Sequence, residues 1–187
     1  MTRPLPPSRV VPEVRTRRFT ARPLRASDVS ENYVRWFQDP DVVRFIQAAR
    51  TNQSLTTLRR YVRRKSSSSR ALLVGIFNRR RRHLGNLKFE PIDSRHGQAI
   101  VGMLIGEARW RNKRVLQEVF PAVAAEVASR FEVRSFWLGV DADNARARRS
   151  YRRLGFRERD AFPRNLGGRP RGDAICMKLE WKRRASL

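Results

Sequence analysis

An α/β fold, with a mixed and largely antiparallel central sheet flanked by helices, is predicted by three features of this sequence. Apolar runs of strand length, bounded by turn residues, follow one another between Arg70 and Gly106, as in a meander of paired strands. Stretches with apolar residues at helical spacing stand on either side of that block. The run FWLGV then passes directly into a helical pattern, so the chain crosses from the sheet to a covering layer. A length of 187 residues suits one domain with one sizeable core.

Residues 1–16 carry four prolines and no periodicity and read as a flexible, basic, proline-rich tail; residues 17–182 read as the folded domain and 183–187 as a short basic tail. FTARPLR, from Phe19, alternates enough for a first strand. Ser27 is expected to cap a helix carrying Val29, Tyr33, Trp36 and Phe37, which Asp39-Pro40 breaks. PDVVRFI is a short helical piece, and Ser54 opens a further helix with Leu55, Leu58, Tyr61 and Val62 on one face. RKSSSSR is a loop by composition. Three strands follow, ALLVGIF, NLKFEPI and AIVGMLIG, joined by turns at RRRRHLG and DSRHGQ. Next comes an amphipathic helix with Val115, Val119, Phe120, Val123, Val127 and Phe131 inward, in which Pro121 removes one backbone donor and predicts a kink. The strand SFWLGV, a second helix and two closing strands near FRERDAF and GDAICMKLEW complete the order. No internal repeat is present.

Composition restricts the setting. The formal net charge is +25 with a pI near 11.8, and 37 of the 42 cationic residues are arginine. Phosphate neutralisation needs only charge, so a skew this strong fits a compositional habit of the source as well as a field that attracts polyanions: coenzyme phosphates, a nucleotide-linked sugar or RNA. The single cysteine, Cys176, lies in an apolar run, which excludes an intrachain disulfide and suits a reducing compartment. No apolar run nears the 18 residues of a membrane span, and prolines stand where a signal peptide would have its apolar stretch. A cytoplasmic protein without membrane contact is the expectation.

Residues 138–156, LGVDADNARARRSYRRLGF, carry the most specific pattern. Asp143 or Asn144 supplies the helix N-cap; Ala147, Tyr151 and Leu154 form the apolar face; arginines cover the rest; Gly155 ends the helix. N-x-x-A-x-x-x-Y-x-x-x-G-F after a strand resembles the cofactor-binding half of the GNAT superfamily of acetyl-coenzyme A-dependent N-acetyltransferases. The order of elements is similar to that family across roughly residues 17–181, and the N-terminal segment resembles the branch of ribosomal-protein N-terminal and amino-sugar-nucleotide acetyltransferases.

The resemblance implies a GNAT fold with a splayed strand pair, acetyl-CoA as co-substrate, and acetyl transfer by direct attack of a primary amine. The acceptor is an amino-sugar nucleotide, a protein N-terminus or a small-molecule amine. It assigns the pantetheine arm to the strand at Met103, Leu104, Ile105 and Gly106, and the pyrophosphate to the loop Arg111, Asn112, Lys113, Arg114, Val115 and Leu116, where a helix N-terminus favours an anion. Against the family pattern Q/R-x-x-G-x-G/A, only Arg111 matches; Arg114 and Leu116 stand where small residues are expected. Either Arg114 turns its guanidinium to the phosphates, or the loop no longer holds coenzyme and the chain is a GNAT-fold binding module engaging nucleic acid or a protein through its basic surface.

By the same resemblance Tyr151 protonates the departing thiolate and Asn144 contacts the coenzyme; periodicity alone makes Tyr151 a core residue and Asn144 a cap. The acceptor ammonium must lose a proton, for which Glu107, through a water, is the first candidate and Glu90 the second. His83 and His96 fall in turns and read as solvated. Trp36, Phe37 and Phe45 are candidates for the acceptor wall or for the core. Without a Cys pair or a spaced His pair no metal site is expected. The tip RRRRH is a solvated turn or a phosphate contact, with thin aromatic interleaving for base stacking.

Overall fold

The computed structural model describes residues 11–45, 53–168 and 172–182. Eight strands form one sheet: β1 (Val14–Arg15), β2 (Phe19–Pro23), β3 (Leu72–Asn78), β4 (His83–Asp93), β5 (Gln98–Ile105), β6 (Ser135–Asp141), β7 (Arg157–Arg159) and β8 (Ala174–Glu180), in the spatial order β1-β2-β3-β4-β5-β6-β8-β7. Every neighbouring pair is antiparallel except β5 and β6. The helices are α1 (Glu31–Trp36), α2 (Pro40–Val43), α3 (Leu55–Ser66), α4 (Val115–Phe131) and α5 (Ala145–Arg153).

The near-continuous apolar run of β3 is explained by burial on both faces. Leu72, Val74 and Ile76 pack with α4 in the main core, while Leu73 and Phe77 join Tyr33, Trp36, Leu58 and Val62 of α1 and α3 on the other side. Against the main core α4 lays Val115, Val119, Phe120, Val123, Val127 and Phe131, all buried, as its spacing predicts. Ala147, Tyr151 and Leu154 of α5 pack at the edge of the same core. Cys176 is buried beside Trp137 and Leu166, and burial pushes its thiol up to about 11.

Four local expectations are corrected. Residues 11–16 do not continue a tail: Val11 is buried and Val14 pairs with Ala21, because the far edge of β2 offers open backbone groups; residues 1–10 and 183–187 lie outside the described residues. Ser30, not Ser27, caps α1, accepting the Tyr33 N–H, since Ala26–Asp28 is spent in a separate 3-10 turn whose Asp28 binds Arg22 and the Arg25 N–H. The third helix runs on through Ser66, into the serine run, whose hydroxyls bond carbonyls one turn back. Pro121, expected to interrupt the helix, does not: α4 is continuous across it, and the proline is exposed. Ile46, at the end of the expected short helix, lies outside the described residues.

Candidate active site

Parallel pairing between β5 and β6 covers only Gln98, Ala99 and Ile100 against Ser135, Phe136 and Trp137. Beyond that point β5 runs on to Ile105 and β6 to Asp141 without a shared ladder, so the strands part. Backbone groups left unpaired inside a sheet must find other partners, and a wedge of this kind offers them to an extended ligand. A cleft of about 870 Å³ opens there. Residues 103–105 of β5 and 139–141 of β6 line its walls, and the start of α4, the exposed side of α5 and aromatic residues of the α1–α3 layer complete it.

The loop before α4 is shaped for an anion. Asn112 and Arg114 both adopt left-handed backbone, with φ of 62° and 56°, and Arg114 is the N-cap residue of α4 without a side-chain cap. A left-handed non-glycine residue costs about 1 to 2 kcal/mol, which explains why glycine would suit position 114 and why an arginine there is a strained one. The first turn of α4 therefore carries backbone N–H groups that no side chain caps, at the positive end of a 17-residue helix. Asn112, Arg114, Val115 and Leu116 all line the cleft.

Arg111 also lines the cleft, but its guanidinium is spent inward. It donates to the Asp39 carboxylate at 2.6 Å, to Asp41 at 3.2 Å, and to the carbonyls of Ile105 and Gly106 at 3.1 and 2.9 Å. Asp39 is the N-cap of α2, so one arginine ties the end of β5 to the α1–α2 segment. Burial opposes charge on Asp39, yet Arg111 outweighs it and holds the carboxyl below its usual range. Gly106 does not line the cleft; a Cβ there would stand 1.9 Å from the Trp36 ring, so glycine is needed for packing. Lys113 does not line it either, and sits on the far side of the loop in a second, basic pocket.

On the opposite wall Asn144 caps α5, its side-chain oxygen accepting the Ala147 N–H at 3.0 Å, and Gly155 ends the helix with φ of 95°. Tyr151 faces the cleft from the same helix, part-buried against the main core 6.1 Å from the Phe156 ring. Burial pushes its phenol up to about 12, so it holds its proton at any neutral pH. Gln117 of α4 donates to the Ser150 hydroxyl at 2.8 Å and fixes the two helices across the cleft. Arg146, Arg149 and Arg153 add positive charge along the rim.

The carboxylates proposed as bases are otherwise engaged. Glu107 is buried outside the cleft: Asn32 donates to it at 2.6 Å, the Trp36 indole at 3.5 Å, and Arg82 lies at 3.0 Å. Burial opposes its charge, but the Asn32, Trp36 and Arg82 contacts prevail and depress its affinity for a proton. Such a group anchors α1 to the sheet and is a weak base. Glu90 is bound by Lys65 and Lys88, which outweigh its partial burial and keep it below its usual range. His83 is buried, contrary to expectation, among Tyr33, Trp36 and Phe77, because β4 starts at that residue. Its Nε2 donates to the Gly85 carbonyl, and burial holds the ring below its usual pKa. His96 is exposed and pairs with Asp93. Among the described residues no group of three or more His, Cys, Asp or Glu could hold a metal, and no helix is long and apolar enough to cross a membrane.

Toward the α1–α3 layer Phe37 and Phe45 line the cleft with Tyr33 and Tyr61, whereas Trp36, the third candidate for an acceptor wall, is core. Asn86 was not singled out by the sequence: it lies in the floor, opposite Leu104 in the β4–β5 register, and is tied to His83 at 2.9 Å. Only the alternation of β4 points to it, since Asn86, Lys88 and Glu90 alternate with Leu87 and Phe89. Asp39, too, reads in the sequence only as a helix cap.

The sequence matches the family model for an acetyltransferase (GNAT) domain over residues 18–157. No curated protein matches it significantly. Similar solved structures include the ribosomal L7/L12 alpha-N-protein acetyltransferase RimL in complex with coenzyme A, 15% identical, with TM-score 0.76 over 90% of this chain and 98% of that one. The Salmonella typhimurium acetyltransferase that modifies the N-terminal serine of the same ribosomal protein is 15% identical, with TM-score 0.74 over 91% and 100%. The microcin C7 self-immunity acetyltransferase MccE, in complex with acetyl-CoA and AMP, is 15% identical, with TM-score 0.74 over 95% and 98%.

Proposed function

We propose that this chain, which belongs to the acetyltransferase (GNAT) family, moves an acetyl group from acetyl-coenzyme A to a primary amine, with a protein N-terminus as the first acceptor class and an amino-sugar nucleotide as the second. The observation that carries the reading is the parting of β5 and β6 onto an uncapped helix start. Acetyl-CoA supplies the activated acetyl thioester. The backbone of residues 103–105 would hold its extended arm, and the N–H groups at the start of α4, with Arg114, its phosphates. The left-handed backbone at Arg114 supports the enzyme over the bare binding module, because it is the conformation that a glycine at this position of the family pattern adopts without cost.

Tyr151 is the proton donor of this reading: it lines the cleft and its hydroxyl stays protonated at neutral pH. Neither Glu107 nor Glu90 lines the cleft beside it, and both are tied in ion pairs. That points to the acceptor. An α-amino group, with pKa near 7.7 to 8.0, is neutral in about a tenth or more of molecules at pH 7, whereas a lysine amine near 10.4 is not. Water in the cleft suffices for the former. A ribosomal-protein N-terminus, the acceptor of two of the similar proteins, is of that kind.

Thermal unfolding with and without acetyl-CoA tests the coenzyme half. A ligand at a hundredfold excess over Kd stabilises by about 2.7 kcal/mol. An unshifted transition at millimolar coenzyme would remove the enzyme reading. Acetylation of a short peptide with a free N-terminus, against one blocked there but carrying lysine, tests the acceptor: only the first is modified.

A further inference from the structure

A second pocket of about 550 Å³ lies on the other side of the α4-preceding loop from the coenzyme cleft and shares only Trp110 with it. Five cations line it: Arg18, Arg80, Arg82, Arg109 and Lys113. They come from three segments that the sheet register brings together. Phe19 pairs with Asn78, which sets Arg18 beside the β3–β4 turn, and Gly85 pairs with Ile105, which sets that turn beside the loop carrying Arg109 and Lys113.

Two carboxylates face these cations, and both are already divided. Glu118 takes Arg18 at 2.7 Å together with the Thr16 hydroxyl, and Glu107 shares itself between Arg82, Arg109, Asn32 and Trp36. Among the described residues neither Arg80 nor Lys113 has a carboxylate within ion-pair distance. The indole N–H of Trp110 is buried without an acceptor. Gathering five cations around one space costs repulsion, and an anion with several acceptor oxygens relieves it.

We propose that this pocket holds a phosphodiester of a nucleic-acid strand. A compact phosphate would need only the pocket, but the exposed Arg17, Arg79 and Arg81 adjoin its lining residues in sequence, with Arg79 bonded to the Arg17 carbonyl, so that further cations are at hand for the neighbouring phosphates of a strand. Trp110 is the only aromatic ring in the lining, so the binding is led by phosphates and indifferent to base sequence.

The test is the affinity of the full chain for a single-stranded RNA of about ten nucleotides, read by fluorescence anisotropy over a series of salt concentrations. Arg80→Ser with Arg109→Ser is compared with Arg59→Ser and Arg60→Ser, which remove the same charge from the exposed side of α3. The pocket variant is expected to bind at least tenfold more weakly at low salt and to lose about 1.4 from the slope of log K against log salt, two single-strand contacts. The α3 variant should change less than about threefold, and coenzyme stabilisation should be intact in both, so that failure here is separable from failure of the acetyltransferase reading. Equal losses in the two variants, competition by inorganic phosphate or a mononucleotide at the concentration of the strand, or no binding at low salt would each overturn the proposal.

Discussion

The Arg111 guanidinium and the Asp39 carboxylate meet at 2.6 Å across 72 residues of sequence, with only 11% of the arginine side chain exposed. The pair joins the loop before α4, on one side of the cleft, to the α1–α2 segment on the other. Arg111→Lys keeps the charge and loses the fork, and is expected to cost about 1.5 to 3 kcal/mol of stability in urea denaturation. Asp39→Asn should cost a similar amount and weaken coenzyme binding. Tighter binding in Asp39→Asn would mean that Arg111, once released, is a phosphate ligand and not a clamp.

Arg114→Gly separates strain from contact. Removing a left-handed arginine should raise stability by about 1 kcal/mol. Losing a charge-assisted bond to the pyrophosphate should weaken coenzyme binding by roughly ten- to a hundredfold. Melting temperature and coenzyme Kd at one salt concentration report the two effects independently. A higher affinity in the variant would show that the side chain only crowds the loop.

Tyr151→Phe keeps the ring that packs on the main core and removes only the hydroxyl. Turnover is expected to fall by about 10² to 10⁴ with the melting temperature nearly unchanged. Because the phenol holds its proton up to about pH 12, an alkaline decline in rate below that value must come from another group. Wild-type turnover in the variant would leave Tyr151 as a packing residue.

Glu107→Gln should damage the fold and spare the chemistry. The carboxyl is held below its usual value in the folded chain, so the stability it contributes is complete above its unfolded pKa near 4.3 and is lost as pH falls through the lower, folded value. Denaturation at pH 7 and again near pH 3 should show a difference from wild type that shrinks on acidification. Turnover per folded molecule is expected to stay within a few-fold. A collapse of turnover in a stable variant would restore Glu107 as the base.

The amino-acid sequence alone determined the elements whose signals are local. Ser54, Asn144 and Gly155 act on backbone groups within four residues of themselves, and the near-continuous apolar run of β3 and the helical spacing of α4 state which residues are buried before any partner is known. Tertiary structure alone decided where charges end. Glu107 follows β5 in sequence and reads as a cleft residue, yet α1 folds over it with Asn32 and Trp36; His83 reads as turn and begins a strand under three aromatic rings. Lys113 and Arg111, two positions apart, finish on opposite sides of one loop because two left-handed residues turn the chain between Arg111 and α4. A carboxylate or guanidinium reaches its partner across whatever distance the sheet register closes, and that register depends on the packing of both faces together rather than on any one stretch of sequence.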